Sequence, residues 1–175
     1  MEKEQIRETL RNPGTPSPSI DGLQEDSNEK RVGVYLRVAA RTVNAVQTIE
    51  VLTQHYRDFV EIQPGWMLYK IYMDEGPANC RSGQVAFQEM MDDARQHRID
   101  LVVAQGLSRF AGSISTAIDT NRGLASLNPS VGVYIESENL YSLNPGSMFL
   151  LDIIQAVAAE EARNKSRAMR FSTFS

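Results

Sequence analysis

The chain has 175 residues, 42% of them apolar and 23% charged, ordinary values for a globular protein with room for one domain and an appendage. A net charge of -4 and an isoelectric point near 5.3 argue against a domain that grips DNA unaided, because phosphate contacts supply most of such affinity and need a basic excess. No apolar run reaches the roughly 18 residues of a membrane span, and the charged opening residues predict no secretory signal. The lone Cys80 excludes an internal disulfide and a cysteine-based zinc site, so a cytoplasmic protein without metal or membrane attachment is expected.

Residues 1–30 mix charges with Pro13, Pro16, Pro18, Gly14, Gly22 and serines, too few apolar groups for a core, which predicts a disordered tail. From Arg31 the pattern changes. Val32–Val38 is a short apolar run that reads as a buried strand. A helix follows, with Val46, Ile49, Leu52, Tyr56, Phe59 and Val60 on one face, and Pro64-Gly65 stops it. Trp66–Met73 reads as a second strand ending at Asp74-Glu75-Gly76. A loop through Gly83 leads to a helix with Phe87, Met90, Met91 and Ala94 inward, and Ile99–Ala104 is a third strand. Ile114, Ala117, Ile118, Asn121 and Leu124 mark another helix, and Val131–Ile135 a fourth strand. Beyond Asn144-Pro145-Gly146, a last helix carries Phe149, Leu150, Ile153, Ile154, Val157 and Ala158 at helical spacing and ends in Arg163, Lys165, Arg167 and Arg170.

Strands alternating with helices predict an α/β domain with a mainly parallel sheet of four or five strands, covered by helices on both faces. The expected organisation is a tail over 1–30, an α/β domain over 31–146, and a long C-terminal helix over 147–175 that projects and pairs with another subunit. In such sheets the working groups lie on loops past the carboxyl ends of the strands. That singles out Arg37–Asn44, Asp74–Gly83 and Gly106–Ser113. Neither a glycine-rich phosphate loop nor a nucleophile elbow is present. His55 and His97 stand apart from any metal-ligand spacing and read as solvated helix residues.

Several short segments, in order, resemble the serine site-specific recombinases, the family of resolvases, invertases and large serine integrases. Tyr35-Leu36-Arg37-Val38-Ala39-Ala40 is similar to the family's opening Y-x-R-V-S-[TS] signature, and Asp74-Glu75-Gly76 to its D-E-G-x-S-G loop. Ile99–Val103 followed by Leu107-Ser108-Arg109-Phe110-Ala111-Gly112 resembles an I-D-L-[IV]-[IV] strand and its S-R-[FL]-[AG]-R motif. Val131-Gly132-Val133-Tyr134 with Glu138-Asn139 resembles a segment of the large members. Ala156–Arg163 resembles the A-x-x-E-E-x-R stretch of the dimerisation helix.

The resemblance, which spans about Arg31 to Arg170, implies DNA strand cleavage and exchange without a cofactor. A serine hydroxyl attacks the phosphodiester while arginines neutralise the phosphoryl oxygens. Arg37 and Arg109 match two of those arginines and are expected to hold a DNA phosphate. Asp100 matches a carboxylate that orients an arginine, and Glu161 an acidic residue of the long helix. Ser108 matches the serine of the S-R pair and is not expected to act as a nucleophile.

The departures carry more weight. Ala39 stands where the nucleophilic serine belongs, and covalent catalysis has no attacking atom there. Gln84 falls where a third arginine is expected, with Arg81 a substitute only if the loop shifts, and Gly112 replaces the last arginine of the motif. These losses predict a catalytically degenerate domain that dimerises or tetramerises through its last helix, binds DNA weakly alone, and regulates an active recombinase or is a relic of a mobile element. Two alternatives stand beside it: a genuine recombinase domain with an engineered serine-to-alanine change, and an α/β interaction module with no DNA role.

Overall fold

The computed structural model describes residues 29–38, 45–76 and 84–172. The expected tail, Ala39 with the loop to Asn44, and the 77–83 loop with Cys80 and Arg81 lie outside the described residues. The elements are β1 (Lys30–Val38), α1 (Ala45–Glu61), β2 (Trp66–Glu75), α2 (Val85–Arg95), β3 (Leu101–Ala104), α3 (Leu107–Ala111), α4 (Ile114–Ala125), β4 (Gly132–Ile135), β5 (Leu140–Tyr141) and α5 (Pro145–Ser172). The sheet order is β2-β1-β3-β4-β5; the first four strands run parallel and β5 turns back antiparallel on β4. This is the α/β architecture that the alternation of apolar runs and helical patterns predicts.

Side chains on a strand point alternately to the two sheet faces. In β1, Val32, Val34 and Leu36 face α1, where they pack with Tyr56, Phe59, Val60, Leu101, Val103 and Tyr134. Tyr35 faces the other side, where Phe87, Met90, Ile99, Val102, Phe110, Ile118 and Leu124 build the larger core under α2, α3 and α4. Gly33 leaves room there: a Cβ would stand 3.0 Å from both Ile99 and Tyr72.

The edge strand β2 contains an irregularity with a functional consequence. Val32 pairs with Leu68 but Gly33 pairs with Lys70, so Tyr69 is an extra residue, a β-bulge. One extra residue inverts the side-chain parity beyond it. Trp66 and Leu68 lie on the α1 face, but Tyr72 and Asp74, which strict alternation would place beside them, fall on the Tyr35 face instead.

The last helix, α5, spans 28 residues, about 42 Å at 1.5 Å per residue. Leu151 is buried, Met148 and Ile154 pack against the larger core, and Arg122 of α4 pairs with Asp152. Phe149, Leu150, Ile153 and Val157 lie on the outer side, Phe149 69% exposed. From Ala159 to Met169 every side chain is exposed. The apolar periodicity of this helix therefore divides into an inner set that anchors it and an outer set left in water. Among the described residues no helix is long and apolar enough to cross a membrane.

Candidate phosphate-binding site

The carboxyl ends of β1 and β2 bring three side chains together. Arg37 and Asp74 are register partners on adjacent parallel strands; alternation along β1 puts Arg37 on the face of Tyr35, and the bulge at Tyr69 puts Asp74 there too. Asp74 is buried, and its carboxylate is fully engaged. Oδ2 accepts from the Tyr35 hydroxyl at 3.1 Å and from the Phe87 amide at 2.9 Å, while Oδ1 accepts from the Ala86 amide at 2.9 Å. Ala86 and Phe87 are the second and third residues of α2, whose N-cap, Gln84, makes no side-chain cap bond. A carboxylate from a neighbouring strand thus does the capping, with the favourable charge for a helix N-terminus.

Arg37, only 3% exposed, donates from Nε to the Gly76 carbonyl at 3.3 Å. Its guanidinium also lies against the Tyr35 hydroxyl. Burial, followed by the charge and hydrogen bond of Asp74, pushes the ionisation of that hydroxyl far above the ordinary tyrosine range, and Arg37 opposes the push. Tyr35 therefore stays a neutral donor that links Asp74 to Arg37.

Arg109 comes from α3, which starts three residues past β3. Its Nη1 donates to the backbone carbonyl of Arg37 at 3.2 Å, and the residue is otherwise exposed. Two guanidinium-bearing residues thus meet at one sheet edge, one buried and fixed by its neighbours, the other facing solvent. Planar, permanently charged forks in this arrangement suit a tetrahedral oxyanion. The described residues contain no cluster of three metal-ligating side chains.

The S-R-x-x segment read as a loop over Gly106–Ser113 contains the short helix α3 instead. Gly112 is its C-cap, with φ of 82° in the left-handed region and its amide on the Ser108 carbonyl at 3.1 Å. An arginine at 112 would have to hold that strained backbone. The change from the family motif is thus tied to how α3 ends. Ser108 is exposed, and the Ser113 hydroxyl is occupied as the N-cap of α4, accepting from the Thr116 amide at 3.1 Å.

Asp100 and Glu161 stand away from this edge. Asp100 precedes β3 at the amino end of the sheet, where its carboxylate accepts from the Arg31 amide at 2.8 Å and from Nε and Nη2 at 2.9 Å. The Arg31 hydrogen bonds hold its ionisation below the usual carboxylate range. The arginine it holds is Arg31, which lies six residues down β1 from Arg37, about 20 Å away at the strand rise. Glu161 is exposed on the distal half of α5, beside the Glu160–Arg163 pair at 3.6 Å.

Of the histidines, His97 differs from expectation, lying in the turn after α2 with φ of 55°, whereas His55 is an exposed residue of α1 that also bonds Glu136 at 2.9 Å. Glu136, next to β4, has no motif signal in the sequence; only the pairing of residues 81 apart reveals it.

An α/β sheet that presents two arginines at its carboxyl edge and trails a long, half-unpacked helix defines a domain suited to meet an anion at that edge. The family model of the resolvase N-terminal domain matches residues 32–172, and the chain belongs to that family. Its fold is similar to the N-terminal catalytic domain of TP901-1 integrase, at a TM-score of 0.56 and 19% identity over 77% of this chain and 98% of that one. It is similar also to a resolvase family site-specific recombinase from Streptococcus pneumoniae, at a TM-score of 0.59 and 17% identity over 82% and 98%. The C-terminal catalytic domain of ISC1926 TnpA, an IS607-like serine recombinase, aligns at a TM-score of 0.51 and 9% identity over 74% and 99%. No curated protein sequence matches the chain.

Proposed function

We propose that this chain is a serine-recombinase domain of DNA site-specific recombination that holds a DNA phosphate but does not cut it. Arg37 and Arg109 hold the phosphate. Ala39 offers no hydroxyl to attack phosphorus, and the arginines matching Gln84 and Gly112 are missing, so transition-state charge has fewer partners. By analogy with arginines in other phosphoryl-transfer sites, each loss costs about 10³-fold in rate or more. The observation that carries this reading is the bond from Arg109 Nη1 to the Arg37 carbonyl at the carboxyl edge of the sheet.

The domain pairs through the outer face of α5 with a second copy or with an active recombinase in the cytoplasm, which makes it a regulatory or relic member of a recombinase assembly. Phe149, Leu150, Ile153 and Val157 form an apolar stripe of the kind that pairing buries. The 31–146 segment then holds the phosphate and the 147–175 segment associates.

The test is covalent trapping on duplex DNA, with the chain as it stands and with Ala39→Ser. No protein–DNA adduct is expected from the chain itself, and none above background from Ala39→Ser. An adduct with the unchanged chain would refute silence outright. Full activity in Ala39→Ser would show that alanine alone silences an otherwise complete recombinase.

A further inference from the structure

Three buried rings meet beneath the two arginines, one each from β1, α2 and α3. The Tyr35 and Phe87 centroids are 5.3 Å apart, those of Phe87 and Phe110 5.7 Å, and those of Tyr35 and Phe110 6.3 Å. Every pair is edge-on, with planes 68° to 74° apart, and no ring is more than 7% exposed. Edge-to-face contact is a favoured arrangement of aromatic quadrupoles, so each ring constrains the other two.

Two of the rings belong to the groups that place Arg37. Tyr35 lies two residues before Arg37 on the same face of β1, and its hydroxyl donates to Asp74, the register partner of Arg37, at 3.1 Å. The Phe87 amide donates to the same carboxylate oxygen at 2.9 Å. Phe110 packs against both rings, and its neighbour in α3 is Arg109. Phe110 is fully buried while Arg109 is exposed.

The short helix α3 does not set its own orientation. Its five residues fall far short of the length at which a helix is stable alone, and its N-cap, Gly106, makes no side-chain cap bond. What it packs on therefore decides where it sits, and its buried side chains are Leu107 and Phe110. The bond from Arg109 to the Arg37 carbonyl, at 3.2 Å, is at the long end of the usual range, so a displacement of about 0.5 Å breaks it. Two like charges at one edge also repel. We propose that Phe110 is a positioning residue for phosphate binding. Seated against Tyr35 and Phe87, its side chain sets the height of α3 over the sheet edge, and so the separation at which Arg109 and Arg37 receive one phosphate. This role rests on the reading of Arg109 as a phosphate ligand.

The experiment is binding of a labelled DNA duplex to the full chain across a salt series. The proteins compared are the wild type, Phe110→Ala, Phe110→Leu, Arg109→Ala, the Phe110→Ala, Arg109→Ala double variant, and Phe59→Ala. Phe59 is the control, a buried ring of the other core, stacked on Tyr134 at 5.9 Å. Each protein is read at a temperature where circular dichroism shows it folded, and Phe110→Val takes the place of an alanine variant that does not fold.

In Phe110→Ala the salt slope should fall by about 0.9, one phosphate contact, and affinity by on the order of tenfold at about 50 mM salt. Phe110→Leu refills most of the volume and should recover most of the loss. The double variant should bind like Arg109→Ala alone, because both changes act on one contact. Phe59→Ala should keep the wild-type slope, which separates positioning from general loosening of the fold. If Arg109→Ala weakens binding while Phe110→Ala does not, the positioning role is wrong and the phosphate ligand stands. The same holds if the two losses add in full, or if Phe59→Ala lowers the slope as much as Phe110→Ala. If Arg109→Ala changes nothing, Arg109 is no phosphate ligand and both fall.

Discussion

Replacing Asp74 by alanine strikes three hydrogen bonds at once. The variant strands the Tyr35 hydroxyl, in a residue 1% exposed, and leaves the Ala86 and Phe87 amides of the first turn of α2 without an acceptor. Loss of a helix cap costs about 1 kcal/mol, within a range of roughly 0.5–2. A buried donor left without a partner costs about 1–3 kcal/mol more. The expected loss is therefore about 2–4 kcal/mol, or a fall of roughly 4–16 °C in melting temperature for a domain of this size. Asp74→Asn keeps one acceptor oxygen and should lose about half as much. Urea denaturation followed by circular dichroism measures both, with an unchanged dependence on denaturant showing that the unfolded states are comparable. Stability of Asp74→Ala within about 0.5 kcal/mol of wild type would refute the view that this carboxylate holds β1, β2 and α2 in register around Arg37.

Three further outcomes follow from the same geometry. Ile153→Glu puts a charge in the outer stripe of α5, so a chain that sediments as a dimer or larger at tens of micromolar should become monomeric; a monomeric wild type would count against pairing through that face. Both carboxamide atoms of Asn121 are buried without a hydrogen-bond partner among the described residues, so the similarly branched Asn121→Leu should stabilise by about 1–2 kcal/mol in the same denaturation assay. A destabilised Asn121→Leu would mean that the carboxamide has a partner. Burial and neighbouring carboxylates hold the Tyr35, Tyr56 and Tyr72 hydroxyls above the ordinary range. The folded state binds these protons more tightly than the unfolded chain, so their contribution is complete below a pH of about 10. It declines above that by about 1.4 kcal/mol per pH unit for each tyrosine. Tyrosinate absorbance at high pH should rise together with loss of the dichroism signal. Ionisation of all six tyrosines near pH 10 in a still-folded protein would contradict this.

The sheet was legible because buried parallel strands are near-continuous apolar runs, and Val32–Val38 and Ile99–Ala104 are such runs. Helical spacing likewise marked Tyr56, Phe59, Phe87, Met90, Ile118 and Leu124, all of which are buried. The bulge at Tyr69 was not legible, because Trp66–Met73 looks the same with either parity and only the pairing with β1 reveals the extra residue. The two-residue β5 is too short to carry a period. In the site, motif order led to Arg37, Asp74 and Arg109, but the capping role of Asp74 depends on amides 12 and 13 residues onward. The resemblance groups Asp100 with the site as a carboxylate that orients an arginine. A strand has two ends, however, and Asp100 lies at the wrong one. His55 and Glu136 carry no local pattern at all, since their pairing exists only once α1 crosses the end of β4.

The central claim, that Arg37 and Arg109 still hold DNA phosphate, is tested most directly by duplex binding against salt for the wild type and the Arg37→Ala, Arg109→Ala double variant. Binding that weakens with salt, and that loses affinity and up to about two phosphate contacts' worth of salt slope in the double variant, is the expected result. Absence of binding by the wild type at low salt, or equal binding by the two proteins, would contradict it and turn attention to a protein partner along α5.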